Sequence, residues 1–294
     1  MGDSLTKAVT KDGFLRIYTV VSTETARQAQ RYHQLSPVAS AALGRLLAAG
    51  SMMGAMLKTE GASLTLQMKG DGPLGSLVVV ADENGNVKGY AANPMVDLPL
   101  KENGKLDVGR AVGRGTLSVI KDLKMKEPYI GQIPIQTGEV GDDLAYYFAQ
   151  SEQIPSVVSL GVLVDRDYTV KHAGGFIIQV MPDCDEKTLT KLENSIQHLM
   201  PVTEMLQQGM DGAAIIRYVM LGFETEILEE TEVGYHCDCS RDRMERALIS
   251  LGKKELEDMI VQQGGAEIVC QFCNTAFQFQ AEDLRALQRR CKRE

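Results

Sequence analysis

The chain has 294 residues, 44% of them apolar, and no tryptophan, which is enough for roughly two domains with a sizeable core. Its formal net charge of −8 argues against a protein that binds nucleic acid through a general basic field. Met1 to Thr6 contains no apolar run, so no signal peptide is expected, and six cysteines without one suit a reducing cytoplasm. Gly2 with Thr6 matches a myristoylation pattern, but no polybasic stretch supports it.

In chain order, residues 14–21 are rich in β-branched and aromatic residues and predict a strand. A polar-faced helix follows over 24–33. Ser36-Pro37 is a helix start, with serine as N-cap and proline at the first position. The helix from 37 to about 57 is long and apolar, but Arg45 and its many glycines and alanines make it a packed core helix, not a membrane span. Alternation over 64–69 predicts a half-buried strand, and further strands are expected over 75–81 and 87–91. Asn84-Gly85 suggests a type I′ hairpin between the last two. Gly70-Asp71-Gly72-Pro73-Leu74-Gly75 satisfies G-x-G-x-x-G, but a strand follows instead of a helix, so it is a glycine-rich hairpin and no dinucleotide loop. Strands are expected over 115–122, 129–135, 157–164 and 169–181, with Asp165-Arg166-Asp167 turning the last two into a hairpin. A short helix over 142–151 carries Tyr146, Tyr147 and Phe148 as core and interface residues. The expected fold class is α+β, with a mainly antiparallel sheet in a domain of residues 1–181. No Ser/His/Asp set or carboxylate pair stands in a catalytic context. His33, His172 and His198 are scattered and read as structural or solvated.

Residues 182–232 differ in character. Between 185 and 232 there are ten acidic and three basic residues, a net of −7. Leu189, Leu192, Ile196 and Leu199 fall at helical spacing, as do Ile215, Ile216, Val219 and Met220. Gly209, Gly212 and Gly222 interrupt them, and several methionines add adaptable apolar bulk. Two readings stand: short helices packed on the preceding sheet, or an acidic helical linker of marginal stability.

The last part, 233–294, carries the strongest signal. Cys237-Asp238-Cys239 is separated by thirty residues from Cys270-Gln271-Phe272-Cys273. Two close cysteine pairs across a domain-sized gap supply the four soft ligands of a tetrahedral zinc ion, at about 2.3 Å each. The Cys-x-Cys knuckle has less room for backbone donors than a Cys-x-x-Cys knuckle, so its sulfurs are expected to be the more nucleophilic. Helices over 241–251 and 253–262, a hairpin over 267–279 and a last helix from Asp283 complete this module. It has few large apolar residues, so zinc, worth roughly 10–16 kcal/mol in finger peptides, would hold it folded. His236 is a weak fifth candidate ligand, and Cys184 and Cys291 lie outside the spacing as free thiols.

The cysteine pattern at the C-terminal end resembles the 33-kDa heat-shock protein family, bacterial redox-regulated holdase chaperones. Leu35-Ser36-Pro37-Val38-Ala39, Lys69 to Gly75, Ser118 to Leu123 and Ser151 to Ser156 fit it too, so the resemblance covers essentially the whole chain. It implies a chaperone core over 1–181, a helical switch over 182–232 and a redox-sensing zinc domain over 233–294. It also implies one zinc ion per chain on Cys237, Cys239, Cys270 and Cys273 in the reduced, inactive form. Oxidative stress would then give the disulfides Cys237–Cys239 and Cys270–Cys273, zinc release and capture of unfolding client proteins. Homodimers on activation, no ATP use, no enzymatic activity and a cytoplasmic location belong to the same expectation.

Two other function classes are weighed. Phe272, Phe277, Phe279 and the basic tail Arg289, Arg290, Lys292, Arg293 suggest a zinc-ribbon nucleic-acid module. Residues 233–294 hold ten acidic and ten basic residues, however, so no net basic field exists. A thiol–disulfide oxidoreductase using Cys270 and Cys273 lacks the expected βαβ context.

Overall fold

The computed structural model describes residues 2–291, and the chain divides into two compact units after His236. The first unit runs β1 (Ser4–Thr10), β2 (Leu15–Val21), α1 (Thr23–His33), α2 (Pro37–Gly54), β3 (Ser63–Gly70), β4 (Ser76–Asp82), β5 (Val87–Ala91), α3 (Val108–Val112), β6 (Gly115–Asp122) and β7 (Tyr129–Pro134). It continues with α4 (Val140–Tyr147), a π-turn (Phe148–Glu152), β8 (Ser156–Val164), β9 (Val170–Val180), α5 (Glu186–Ile196), α6 (Val202–Gln207), α7 (Gly212–Val219) and β10 (Thr225–Glu232). Two antiparallel five-stranded sheets result, in the orders β10-β1-β2-β9-β8 and β5-β4-β3-β6-β7. The α+β expectation holds.

Helix α2 lies in the middle because, Arg45 apart, little on it favours water. Ser36 Oγ accepts from Ala39 N–H at 3.3 Å, Pro37 presets the first turn, and the alanines, leucines and methionines beyond are buried on nearly every side. Both sheets contribute to the apolar cluster around it, including Val20, Ile177 and Val162 from one and Leu64, Leu66 and Val79 from the other. Arg45 leaves this core as an ion pair: its Nη1 donates to Glu139 Oε2 at 2.6 Å, and Lys101 Nζ donates to Glu139 Oε1 at 2.7 Å. No helix among the described residues is long and apolar enough to cross a membrane.

The acidic stretch packs on the opposite face of the first sheet. Leu192, Val202, Met205, Leu206, Ile215, Ile216, Val219 and Met220 cover Ala8, Leu15, Ile17, Phe176 and Ile178. Helical expectation holds to Val219 and fails after it. Thr225–Glu232 is an edge strand paired with β1, tied by Lys7 Nζ to Glu229 Oε2 and Lys11 Nζ to Glu224 Oε2, both at 2.8 Å. Its Ile227 and Leu228 stay exposed, so no buried face announced it; the partner strand selects the conformation.

Two local expectations change and one holds. At Asn84-Gly85 only Gly85 has positive φ (85°), and Asp82 N–H donates to Asn86 O, so the connection is a longer loop and no type I′ turn. Gly70-to-Gly75 does join two strands; a Cβ on Gly70 would lie 1.8 Å from Val112 O, so close packing against α3 explains that glycine. The helix near 142–151 splits into α4 and the π-turn, and Gln153 ends it at φ 57°. Tyr147 and Phe148 are buried there, as expected of core residues.

The second unit contains α8 (Arg241–Leu251), α9 (Lys253–Gln263), β11 (Gly265–Val269), β12 (Ala276–Gln280) and α10 (Ala281–Arg290). Gly252 at φ 90° and Gly264 at φ 69° end its first two helices. Its core is small: Leu248, Leu256, Ile260, Phe279, Leu284 and Leu287, with Cys291.

Candidate metal centre

Two short pieces of chain bring four sulfurs together. Cys237 and Cys239 precede α8, whose N-cap Ser240 Oγ accepts from Arg243 N–H at 3.3 Å. Asp238 between them pairs with Arg243. Cys270 and Cys273 occupy the turn of the β11–β12 hairpin. Cys270 N–H donates to Thr275 O at 3.0 Å, Asn274 N–H donates to Cys270 O at 2.8 Å, and Asn274 takes φ 56°, so the turn doubles back with both sulfurs on one side. Arg241 fixes the helix to the hairpin. Its Nη1 donates to Gln278 O at 2.8 Å, its Nη2 to Asp283 Oδ2 at 2.9 Å, and its guanidinium lies 4.3 Å from the centroid of the Phe279 ring.

The four Sγ atoms lie within 4.8 Å of one another, with Cys237 to Cys270 at 3.7 Å and Cys239 to Cys273 at 3.4 Å. Four thiolates around a tetrahedral ion at about 2.3 Å sit about 3.8 Å apart, so this cluster could hold a metal ion with little adjustment. Cys270 and Cys273 are buried, and Cys237 and Cys239 half-buried, as a closed structural site requires. His236 is not in the group; its N–H donates to Val87 O at 2.8 Å.

As free thiols, Cys237, Cys239 and Cys273 are unequal. Burial pushes Cys237 up to about 11, against a hydrogen bond from Cys239 N–H, and drives Cys239 well above the usual thiol range. Burial would raise Cys273 too, but the Thr275 hydroxyl, 3.2 Å from Sγ, and the Thr275 N–H bring it down to about 7. The thiol that is lowered therefore belongs to the Cys-x-x-Cys knuckle, while both thiols of the Cys-x-Cys knuckle are raised. The turn after Cys273 brings both the hydroxyl and the N–H of Thr275 to its sulfur, whereas in the shorter knuckle the Cys239 N–H is outweighed by burial.

The remaining cysteines stand apart. Cys184 is half-buried with its thiol pushed up by burial and by Asp185, and Cys291 is buried in the small core with Sγ 3.6 Å from Leu287 O. Features that suggested a nucleic-acid module are used otherwise. Phe279 is a core residue and Arg290 pairs with Glu245 at 2.8 Å; Lys292 and Arg293 lie outside the described residues.

Comparison with known proteins agrees with this architecture. The pattern of the Hsp33 protein family matches residues 3–280. The chain is 48% identical to a 33 kDa chaperonin of Agathobacter rectalis, over 98% of this chain and all of that one. It is 49% identical to a 33 kDa chaperonin of Clostridium perfringens strain SM101, over 97% of this chain and 90% of that one. The crystal structure of the 33 kDa chaperonin (heat shock protein 33 homolog) of Thermotoga maritima superimposes with a TM-score of 0.91 at 38% identity, covering 98% of each chain.

Proposed function

This chain belongs to the Hsp33 family of chaperones, and from that premise we propose that it is a redox-regulated holdase that works without ATP. The observation that carries the reading is the four-sulfur cluster, a set of donors that both holds a soft metal and reacts with oxidants. In the reduced state Cys237, Cys239, Cys270 and Cys273 hold one zinc ion as thiolates. When bound, zinc supplies cross-linking that the small core of the second unit needs.

Oxidation uses the same sulfurs. One thiolate attacks hydrogen peroxide, takes an oxygen as sulfenic acid and releases hydroxide. A second thiolate displaces another hydroxide from that sulfur and closes a disulfide. Family membership favours the pairs Cys237–Cys239 and Cys270–Cys273, which neighbours in sequence can form even in an unfolded chain. Peptide mapping of the oxidised protein decides the pairing, because Cys237 and Cys239 also lie close to Cys270 and Cys273, respectively.

The domain reading follows: a core over 1–181, a switch over 182–232 and a sensor over 233–294. Residues 234–236 run along β5 and lead straight into Cys237, so loss of order at the cysteines would pull on the anchored end of the switch. Released, α5 to α7 would expose the methionine- and leucine-rich surface now packed on the first sheet, together with that sheet face. Such surfaces hold unfolding client proteins by apolar burial. Six free thiols suit the cytoplasm, and a homodimer is the expected active form. The test is zinc content and suppression of aggregation of a heat-unfolded protein, before and after peroxide at raised temperature. Equal suppression by reduced and oxidised protein would reject redox control.

A further inference from the structure

The first unit has four sheet edges, and three are guarded. Edge β10 carries Glu226, Glu229, Glu230 and Glu232. Edge β5 is covered: Val87 N–H donates to Gly234 O at 3.0 Å, His236 N–H donates to Val87 O at 2.8 Å, and Tyr235 OH donates to Gly89 O at 2.8 Å. Edge β7 is short, follows Pro128 and ends at Pro134, which has no N–H to offer.

Edge β8, the nine residues Ser156 to Val164, has no charge and no proline, and it is covered only in part, by α4 near Val158. Val180 N–H donates to Pro155 O at 2.9 Å, and the register pairs Val157 with Ile178, Ser159 with Phe176 and Gly161 with Gly174. The antiparallel alternation then turns the N–H and C=O of Val158, Leu160 and Val162 away from β9, toward the open edge. Among the described residues none of these groups makes a hydrogen bond. Helix α4 packs beside this strand, and an added Cβ on Gly141 would lie 3.5 Å from Val158 O, so the edge is occupied at Val158 and the groups of Leu160 and Val162 are the ones left to dock on.

We propose that β8 is a docking edge for extended, uncharged segments of unfolding polypeptides, which add to the first sheet as a further antiparallel strand. The proposal rests on the holdase reading and specifies how clients are held. Unfolded clients share no sequence; they share free backbone N–H and C=O groups at strand spacing. An edge with unpartnered backbone groups recognises that feature alone. The absence of charge on β8 suits apolar segments, whereas the glutamates of β10 repel them. One side of the incoming strand continues the apolar layer of Val158, Leu160 and Val162 against α2. Its other side meets α6, whose Val202 and Thr203 lie against Gly161, so release of α6 widens the site in the oxidised state.

The test uses full-length oxidised protein and three short peptides of alternating valine and threonine, each with a central photo-crosslinking residue. The first is unmodified, the second is N-methylated at every second residue, and the third at consecutive residues. Side chains are the same in all three. The second keeps one edge of free donors and should bind like the first, while the third should bind at least about tenfold more weakly, a loss of about 1.4 kcal/mol. Crosslinks of the first should map to 156–164. Equal binding of the third peptide, or crosslinks confined to 185–220, would show that apolar burial alone holds the chain and would overturn the edge proposal. Crosslinks joining β8 to β8 of a second copy, with the peptide excluded, would assign the edge to self-association and overturn it as well. Failure to suppress aggregation would instead reject the holdase reading, and the peptide measurement does not depend on it.

Discussion

Cys237, Cys239, Cys270 and Cys273 differ in burial and in their donors, yet a closed four-sulfur site needs all of them. Serine replaces a soft thiolate by a hydroxyl that stays protonated at neutral pH, so each single Cys→Ser variant should lower zinc affinity by at least about a hundredfold. Competition with a chelator measures this, and Cys184→Ser and Cys291→Ser should bind zinc as the parent does. A residue that retained parent affinity as serine would be no ligand. A second residue-scale prediction concerns Glu139. Burial raises its carboxyl, but Lys101 and Arg45 outweigh that and hold it below the ordinary value of 4.5. A lowered folded value means stability that is present above 4.5 and lost as pH falls through the folded value. Glu139→Gln should therefore cost about 1–3 kcal/mol at neutral pH, and the gap from the parent should close in acid. Parallel urea titrations across that range check the sign; a gap that stayed constant would show that shape, not charge, matters there.

Among the elements, α6 sits unusually close to the sheet. A Cβ on Gly161 would lie 2.8 Å from Thr203 Cγ2, so Gly161→Ala should push α6 away and weaken its docking by about 1–3 kcal/mol. Amide exchange over 202–219 in the reduced protein should quicken while zinc content stays the same; unchanged exchange would mean that α6 adjusts without loosening. Strand β10 divides its glutamates into two kinds. Glu224, just before the strand, and Glu229, within it, pair with Lys11 and Lys7, while Glu226 and Glu230 make no ion pair among the described residues. Glu229→Gln should speed β10 exchange by the loss of a surface pair, worth about 0.2–1 kcal/mol, and Glu226→Gln with Glu230→Gln should slow it. The same elements show what the sequence could and could not reveal. Helix α2 was legible because its cap and its apolar run agree, and α8 because Ser240 and Gly252 bracket it. Strands β1 and β10 were not: β1 mixes Leu5, Ala8 and Val9 with polar residues and is set by pairing with β2 and β10, and β10 is polar and exists through pairing with β1. The cysteine cluster was legible as a set, because soft ligands at close spacing have few other uses. The lowered thiol of Cys273 was not, because it depends on Thr275, which spacing does not mark.

For the whole molecule, charge and metal act on different parts of one chain. Residues 185–232 carry a net of −7, and 233–294 carry ten charges of each sign, so self-repulsion is concentrated where the proposed switch lies. That stretch is held by apolar docking on the first sheet and by the strand pairing of β10. Neither depends on oxidants. On the proposed redox reading, sensitivity to peroxide enters through the four sulfurs after His236. A deletion placed after Glu232 would confuse the issue, because Val233 and Tyr235 pack against the main core and residues 234–236 cover the edge of β5. Termination after His236 keeps those contacts and removes every ligand of the cluster. The shortened protein should suppress aggregation to the same extent with and without peroxide, and heat alone should set its activity through the docking of α5 to α7. Aggregation assays at stepped temperatures, with and without oxidant, measure this. A shortened protein that still needed peroxide would place the sensor elsewhere, with Cys184 as its remaining thiol, and the four-sulfur cluster would then be structural only.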